Sequence, residues 1–198
     1  MAPVENLLAE LDRQWASIGA EPITLRIIGS AALMLQCDYV RGTKDSDVLE
    51  TGSETAVVTE QLLRLAGKGT ALHLQCSVYL DIVKRALLFL PPREVFHPLS
   101  RIQLKNFKVE VLDVNDVILS KLARFHSDDV NDARAMAALG LLDHALLVER
   151  FQKAASWFAM DARASEVPKY LKHLHRIERD ILGVPESPIE LPAECLDE

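Results

Sequence analysis

Cysteine is scarce in this chain, and its spacing excludes two kinds of cross-linked small domain. The 198 residues include three cysteines, Cys37, Cys76 and Cys195, and no Cys-x-x-Cys pair. Such spacing supports neither a disulfide framework nor a zinc site. We therefore expect free thiols and a fold stabilised by a hydrophobic core, which a chain of this length is long enough to build.

Long apolar runs and an excess of positive charge are also missing. No run approaches the roughly eighteen apolar residues of a membrane span. The residues after Met1 lack the basic start and apolar core of a signal peptide. We interpret this as a cytoplasmic protein with no membrane partner. The formal net charge of −7 provides no general attraction for nucleic acid, so an RNA partner would need a local basic patch.

The chain does contain a strand, a tight turn and a helix in immediate succession near its start. Apolar residues over 23–28 predict a strand, Gly29-Ser30 predicts a turn, and residues 31–35 continue with a helical pattern. Backbone N–H groups at the start of a helix have no partner within the helix, and together with a hydroxyl they suit a phosphate. Gly29 and Ser30 are therefore predicted to bind a phosphate group, which the resemblance described below implies to be that of a nucleotide.

Two acidic residues follow at the start of the next β-type segment. Asp45 and Asp47 flank Ser46, and side chains two residues apart on a strand share a face. Neighbouring carboxylates repel each other unless a cation compensates them, and Mg²⁺ prefers carboxylate oxygens together with substrate phosphates. The pattern therefore indicates a metal site beside the phosphate site. The alternative is a pair of solvated residues at a strand entrance.

Taken together, these residues resemble the signature of the nucleotidyltransferase superfamily that includes DNA polymerase β. The resemblance is carried by Gly29-Ser30 on a strand-to-helix turn, the approach Arg41-Gly42-Thr43, and Asp45-Ser46-Asp47. It is nearest to small prokaryotic AbiEii-type toxins and their uncharacterised relatives. The Gly-Gly-Ser form of many relatives is absent here.

The resemblance implies an α+β fold, in which a mixed β-sheet is flanked by helices and followed by a C-terminal helical region. We predict an α/β core over residues 1–112, a helical region completing the site over 113–183, and an irregular tail over 184–198. Pro91, Pro92 and Pro98 are expected to interrupt the core, and its last strands are predicted over 101–104 and 107–112.

A third carboxylate often comes from a neighbouring strand in the resembled superfamily. Asp81 lies in an apolar segment over residues 78–83, and a carboxylate inside a buried strand is unfavourable unless something compensates it. Asp81 is therefore the first candidate for the third metal ligand. Glu110, within the predicted strand over 107–112, is the second. The alternative for Asp81 is a position at a strand edge facing water.

A second motif occurs later, in helical sequence. Lys121-Leu122-Ala123-Arg124, followed by Asp129-Val130-Asn131-Asp132, resembles the AbiEii-type pattern of Lys-x-x-Ala/Arg and Asp-x-x-Asp, which lines the nucleotide site in that family. By this resemblance Lys121 would hold the triphosphate, and Asp129 and Asp132 would contact the nucleotide or position Lys121. The alternative is a surface lysine and an acidic pair favoured by the helix dipole.

The function implied is transfer of a nucleoside monophosphate from a nucleoside triphosphate to an acceptor hydroxyl. Asp45, Asp47 and Asp81 would hold Mg²⁺ or Mn²⁺, and Lys121 would act with them in catalysis. The acceptor would be RNA, such as tRNA, or protein. Because several resembled proteins are toxins, an antitoxin is an expected partner. Seven basic residues could form a local surface for RNA: Arg41, Lys44, Arg85, Arg93, Arg101, Lys105 and Lys108.

A function from a different class stays open on this sequence. A non-catalytic module could retain the fold, bind nucleotide weakly or not at all, and act through protein contacts. The acidic residues of the tail and the helical C-terminal region would suit such a module. Stabilisation by a nucleoside triphosphate with Mg²⁺ would separate the two functions, because only a protein that binds the ligand is stabilised by it.

Overall fold

The structure is a computed structural model that describes residues 3–16, 21–37, 39–40, 45–49 and 56–196. The chain divides into two compact units. The first is formed by Met1–Leu87 and Phe96–Leu112, and the second by Leu88–Val95 and Asp113–Glu198. The fold is α+β, as the resemblance implied. The part of the predicted signature formed by Arg41, Gly42 and Thr43 lies outside the described residues, as does Lys44.

The first unit contains a mixed β-sheet with helices. Its elements, in chain order, are α1 (Pro3–Gln14), β1 (Ile23–Ile27), α2 (Gly29–Gln36), β2 (Asp45–Leu49), α3 (Ala56–Ala66), α4 (Ala71–Cys76), β3 (Tyr79–Val83), β4 (Phe96–Pro98) and β5 (Phe107–Leu112). Among the described residues the strand order is β3-β2-β1-β5-β4. The β1–β5 and β2–β3 pairs are parallel, whereas β1–β2 and β4–β5 are antiparallel.

The two faces of this sheet differ in character because side chains alternate along each strand. One face is apolar, and Trp15 packs edge-on against Phe107 there, with 5.0 Å between ring centroids. Its buried side chains include Leu25, Ile27, Val48, Leu80, Val109 and Val111. We call the opposite side the polar face. By strand register it carries Thr24, Arg26, Asp47, Asp81, Lys108 and Glu110.

The predicted strand over residues 101–104 was wrong. That segment forms turns and irregular chain, and β4 is instead Phe96–Pro98, paired with β5. Pro98 was expected to interrupt the core, but a proline without an N–H group is tolerated on an edge strand, and β4 is at the edge of the sheet. The predicted strand over 107–112 is β5.

The second unit is mainly helical in its described part. It contains α5 (Val114–Lys121), α6 (Ser127–Ala138), α7 (His144–Phe158) and α8 (Val167–Ile177), which continues as a π-helical turn, Glu178–Leu182. Phe89 is at the centre of its aromatic core, where it contacts the rings of Phe151, Phe158 and Tyr170 at centroid distances of 5.3, 4.9 and 4.9 Å. Residues 184–192 have no regular secondary structure.

The remaining expectations about composition concern thiols and membrane spans. No disulfide bond joins Cys37, Cys76 or Cys195, and the last two are buried. Among the described residues, no helix combines the length and apolar character that crossing a membrane requires.

Candidate active site

The turn between β1 and α2 is formed by Ile28 and Gly29. Ile28 has extended backbone geometry, and its N–H donates a hydrogen bond to the carbonyl oxygen of Asp47, with 2.9 Å between the atoms. Gly29 then adopts a φ of +62°, in the left-handed region that glycine occupies without steric cost. The chain therefore enters α2 directly beside Asp47.

Gly29 also leaves the space that the Asp47 carboxylate occupies. A Cβ atom on Gly29 would lie 2.9 Å from Oδ2 of Asp47, closer than such atoms normally approach. The position therefore favours glycine for two separate reasons, its backbone angle and this contact. The first turn of α2 carries partial positive charge, which favours a carboxylate close to it.

Asp81 is brought next to Asp47 by the pairing of β2 with β3. The two strands are parallel, and Asp47 and Asp81 are partners in register, so their side chains emerge on the same face of strands about 4.8 Å apart. The Asp81 carboxylate is exposed, and its Oδ1 accepts a hydrogen bond of 2.9 Å from the Ile82 N–H. β3 is at the edge of the sheet formed by the described strands. The expectation of a buried acid was therefore wrong, and the alternative of a position at a strand edge facing water describes Asp81.

Asp45 is the first residue of β2, where its backbone pairs with Tyr79. Its side chain lies outside the described part of the structure. Among the described side chains, no cluster of three or more histidine, cysteine, aspartate or glutamate residues has a metal-binding arrangement. Asp47 and Asp81 are among these side chains, and Asp45 is not. The three-carboxylate site is therefore still a prediction.

Glu110 is on the same polar face as Asp47, but farther away. β1 lies between β2 and β5, so two strand spacings, roughly 10 Å, separate the two backbones. Glu110 is paired in register with Arg26, whose Nε donates to its carboxylate at 2.9 Å. The Glu110 carboxylate is thus paired with the Arg26 guanidinium. The geometry favours Asp81 over Glu110 as the carboxylate that acts with Asp47.

The second unit contains the other predicted site residues in a buried ionic cluster. Nζ of Lys121 is 2.9 Å from a carboxylate oxygen of Asp129 and 2.9 Å from one of Asp132. Lys121 is only 4% exposed, so the alternative of a surface lysine is wrong. Arg124 also donates to Asp129, at 3.1 Å from its Nε. Two positive and two negative charges therefore meet in this cluster.

The protonation of Asp129 reflects these contacts. Burial acts to raise the pKa of its carboxyl, but the attraction of Lys121 and the hydrogen bonds from Lys121 and Arg124 outweigh burial and leave the pKa below its ordinary value. The N–H of His126 donates to the same carboxylate at 3.0 Å. Asp129 is therefore held ionised, and it joins the start of α6 to the end of α5.

Comparison with known proteins identifies the family. A family profile described as "Nucleotidyltransferase of unknown function (DUF6036)" matches residues 6–178. The chain belongs to this family. The match spans both the Gly29–Asp47–Asp81 group and the Lys121 cluster. No curated protein and no solved structure matches the chain at a significant level.

Membership of this nucleotidyltransferase family confirms the predicted identity at its coarser level. It supports a transferase, and its name implies a nucleotide substrate. The finer resemblance to AbiEii-type toxins stays a prediction.

Sequence reasoning missed a second buried ion pair in the helical unit. Arg150 of α7 donates to Asp116 of α5 from Nε at 2.7 Å and from Nη2 at 2.5 Å, and both residues are buried. Asp116 also accepts a hydrogen bond of 3.0 Å from the Val95 N–H. The two residues are far apart in sequence, and no local pattern links them. Only the packing of α5 against α7 shows the pair.

Proposed function

We propose that this protein transfers a nucleoside monophosphate from a nucleoside triphosphate to an acceptor hydroxyl, with Mg²⁺ or Mn²⁺ as its cofactor. The observation that carries the proposal is the meeting of Gly29, Asp47 and Asp81. A glycine turn opens a helix, one carboxylate lies against that turn, and a second carboxylate is its register partner on the next strand. Family membership supports the same class of reaction.

The residues present fit a divalent cation. The start of α2 favours an anion, but Asp47 already places a carboxylate there. A phosphate at the same position would repel Asp47 unless a cation lay between them. Asp47 and Asp81 would hold such an ion together with Asp45, which stays a predicted ligand. When bound, the ion would neutralise phosphate charge and promote ionisation of the acceptor hydroxyl.

The chain's own groups would then orient the triphosphate and receive a proton. The N–H groups of the first turn of α2 and the Ser30 hydroxyl would bind the β- and γ-phosphates. The acceptor oxygen forms a bond to the α-phosphorus while the bond from that phosphorus to the bridging oxygen breaks, and pyrophosphate leaves with the electron pair. Asp81, with its exposed carboxylate, would accept the proton of the acceptor hydroxyl.

For the second unit, the contacts support a positioning role of the acidic pair. Asp129 and Asp132 hold the Lys121 ammonium from two sides. Contact of Lys121 with the triphosphate stays a prediction, as do an antitoxin partner and a toxin role. The transfer chemistry suits either RNA or protein as the acceptor, since both carry hydroxyl groups.

Label transfer tests the proposal. The protein would be incubated with Mg²⁺, each α-labelled nucleoside triphosphate in turn, and either total cellular RNA or cellular protein. We expect one acceptor to become labelled by the wild type and not by Asp47→Asn, an isosteric change that removes the charge. Absence of label from every acceptor, together with absence of nucleotide-induced stabilisation, would support the non-catalytic module instead.

A further inference from the structure

The polar face continues beyond the two carboxylates onto β1 and β5. Arg26 pairs in register with Glu110, and Thr24 with Lys108. Because β1 is next to β2 and β5 is next to β1, these residues extend away from Asp47 on the same face. At about 3.3 Å per residue and 4.8 Å between strands, the backbone of Arg26 is roughly 8 Å from that of Asp47, and that of Lys108 roughly 16 Å.

This part of the face is cationic and open to solvent. The Arg26 side chain is 39% exposed and Lys108 is exposed. Among the described residues that strand register assigns to this part of the face, Arg26 and Lys108 are positive and Glu110 is negative. The guanidinium of Arg26 also lies over the Phe96 ring of β4, 5.0 Å from its centroid. The ring and Glu110 fix the direction of the arginine, and guanidinium groups so oriented suit phosphate recognition.

We infer that Arg26 and Lys108 bind the acceptor through backbone phosphates, so that the acceptor is a nucleic acid strand lying across β1 and β5. The inference rests on the proposed function for the identity of the strand as acceptor. Two cations at increasing distance from the carboxylates form a track for a molecule with repeated phosphates. A protein acceptor offers hydroxyl groups without that repeat, so it would not use both cations.

The overall charge of the chain makes this assignment depend on local contacts. With a formal net charge of −7, non-specific attraction of nucleic acid is weak, so binding must depend on a few local contacts. Of the basic residues singled out from the sequence, Lys108 is on this face. Arg26 was not among them, because its neighbours on the same face come from β5, which is distant in sequence.

The test is binding of fluorescein-labelled oligo(U) and oligo(dT), followed by fluorescence anisotropy over a series of salt concentrations. The variant is Arg26→Gln/Lys108→Gln. The matched control is Lys169→Gln/Lys172→Gln, which removes two exposed charges of α8 in the second unit. Stabilisation by Mg²⁺ with a nucleoside triphosphate is measured on every protein, both to check folding and to test the nucleotide site independently.

We expect the Arg26/Lys108 variant to lose about tenfold or more in affinity, and its salt slope to fall by roughly 0.7 for each lost phosphate contact. The control should bind as the wild type does. Stronger binding of oligo(U) than of oligo(dT), or equal binding, fits the assignment, and a difference between the two distinguishes RNA from DNA. Failure of the wild type to bind either strand, or equal losses in variant and control, would overturn it and favour a protein acceptor. Absence of nucleotide stabilisation in the wild type would overturn the proposed function separately.

Discussion

The Asp47 carboxylate lies in the space that a side chain on Gly29 would need, since a Cβ atom there would be 2.9 Å from its Oδ2. β2, which carries Asp47, and the turn that begins α2 are therefore closely packed at this position. That point joins the two halves of the predicted signature, a phosphate-binding turn and a metal-binding carboxylate.

Gly29→Ala should reduce both stability and nucleotide binding. A left-handed backbone angle costs a non-glycine residue about 1–2 kcal/mol, and the new methyl group would also displace Asp47. Gly140→Ala is the matched control, because Gly140 has a φ of +68° and no described atom lies within 4 Å of its added Cβ. Urea unfolding should show a larger loss for Gly29→Ala. Only Gly29→Ala should weaken nucleotide-induced stabilisation. If Gly29→Ala and Gly140→Ala changed that stabilisation equally, the result would contradict a role for the contact with Asp47.

The two candidates for the third carboxylate make different predictions. Asp81→Asn should reduce Mn²⁺ affinity and transfer, because Asp81 is the register partner of Asp47. Glu110→Gln should leave Mn²⁺ affinity unchanged, because Glu110 is paired with Arg26. Titration of Mn²⁺ followed by electron paramagnetic resonance compares them directly. The reverse result, with Glu110→Gln as the weaker binder, would assign the third ligand to Glu110.

Lys121→Met should destabilise the second unit strongly. It leaves Asp129 and Asp132 buried without their shared cation, and breaking a buried pair in this way costs about 3–5 kcal/mol. Arg124→Met is the control, because the Arg124 side chain is 62% exposed and Lys121 still pairs with Asp129 in that variant, so we expect a smaller loss. Chemical unfolding measures both variants. Similar small losses would mean that the cluster is not a major source of stability.

Acid should weaken the fold through Asp129. A carboxyl whose pKa is lower in the folded chain than in the unfolded chain stabilises fully above its unfolded pKa of about 3.9. That contribution is lost as the pH falls through the folded value. The free energy of unfolding of the wild type should therefore fall as the pH decreases from neutrality to below the folded pKa of Asp129. Asp129→Asn should be less stable at neutral pH and show a shallower fall. An unchanged slope would mean that Asp129 does not titrate with unfolding.

Local patterns account for much of the fold and of the candidate site. The strand predicted over 107–112 is β5, in which Lys108 and Glu110 lie on the face opposite the buried Val109 and Val111. The strand, turn and helix around Gly29 were likewise read from a short stretch. Such features depend on neighbours in sequence, which a single chain displays directly.

Features that depend on pairing between distant segments could not be derived in this way. The exposure of Asp81 follows from the edge position of β3, and the tolerance of Pro98 follows from the edge position of β4. The Arg26–Glu110 pair needs the parallel alignment of β1 with β5. In each case the deciding fact is the strand order, which apolar periodicity within one segment does not contain.

The most direct test of the central claim is calorimetric titration of a Mg²⁺–nucleoside triphosphate complex into wild type and Asp47→Asn. Mutation of a residue that hydrogen-bonds to a metal ligand lowers metal affinity about 10–100-fold. Loss of the ligand itself should lower the affinity at least as much. We predict saturable binding by the wild type and loss of Mg²⁺-dependent affinity of that size in Asp47→Asn. Equal Mg²⁺-dependent binding by the two proteins would contradict the account.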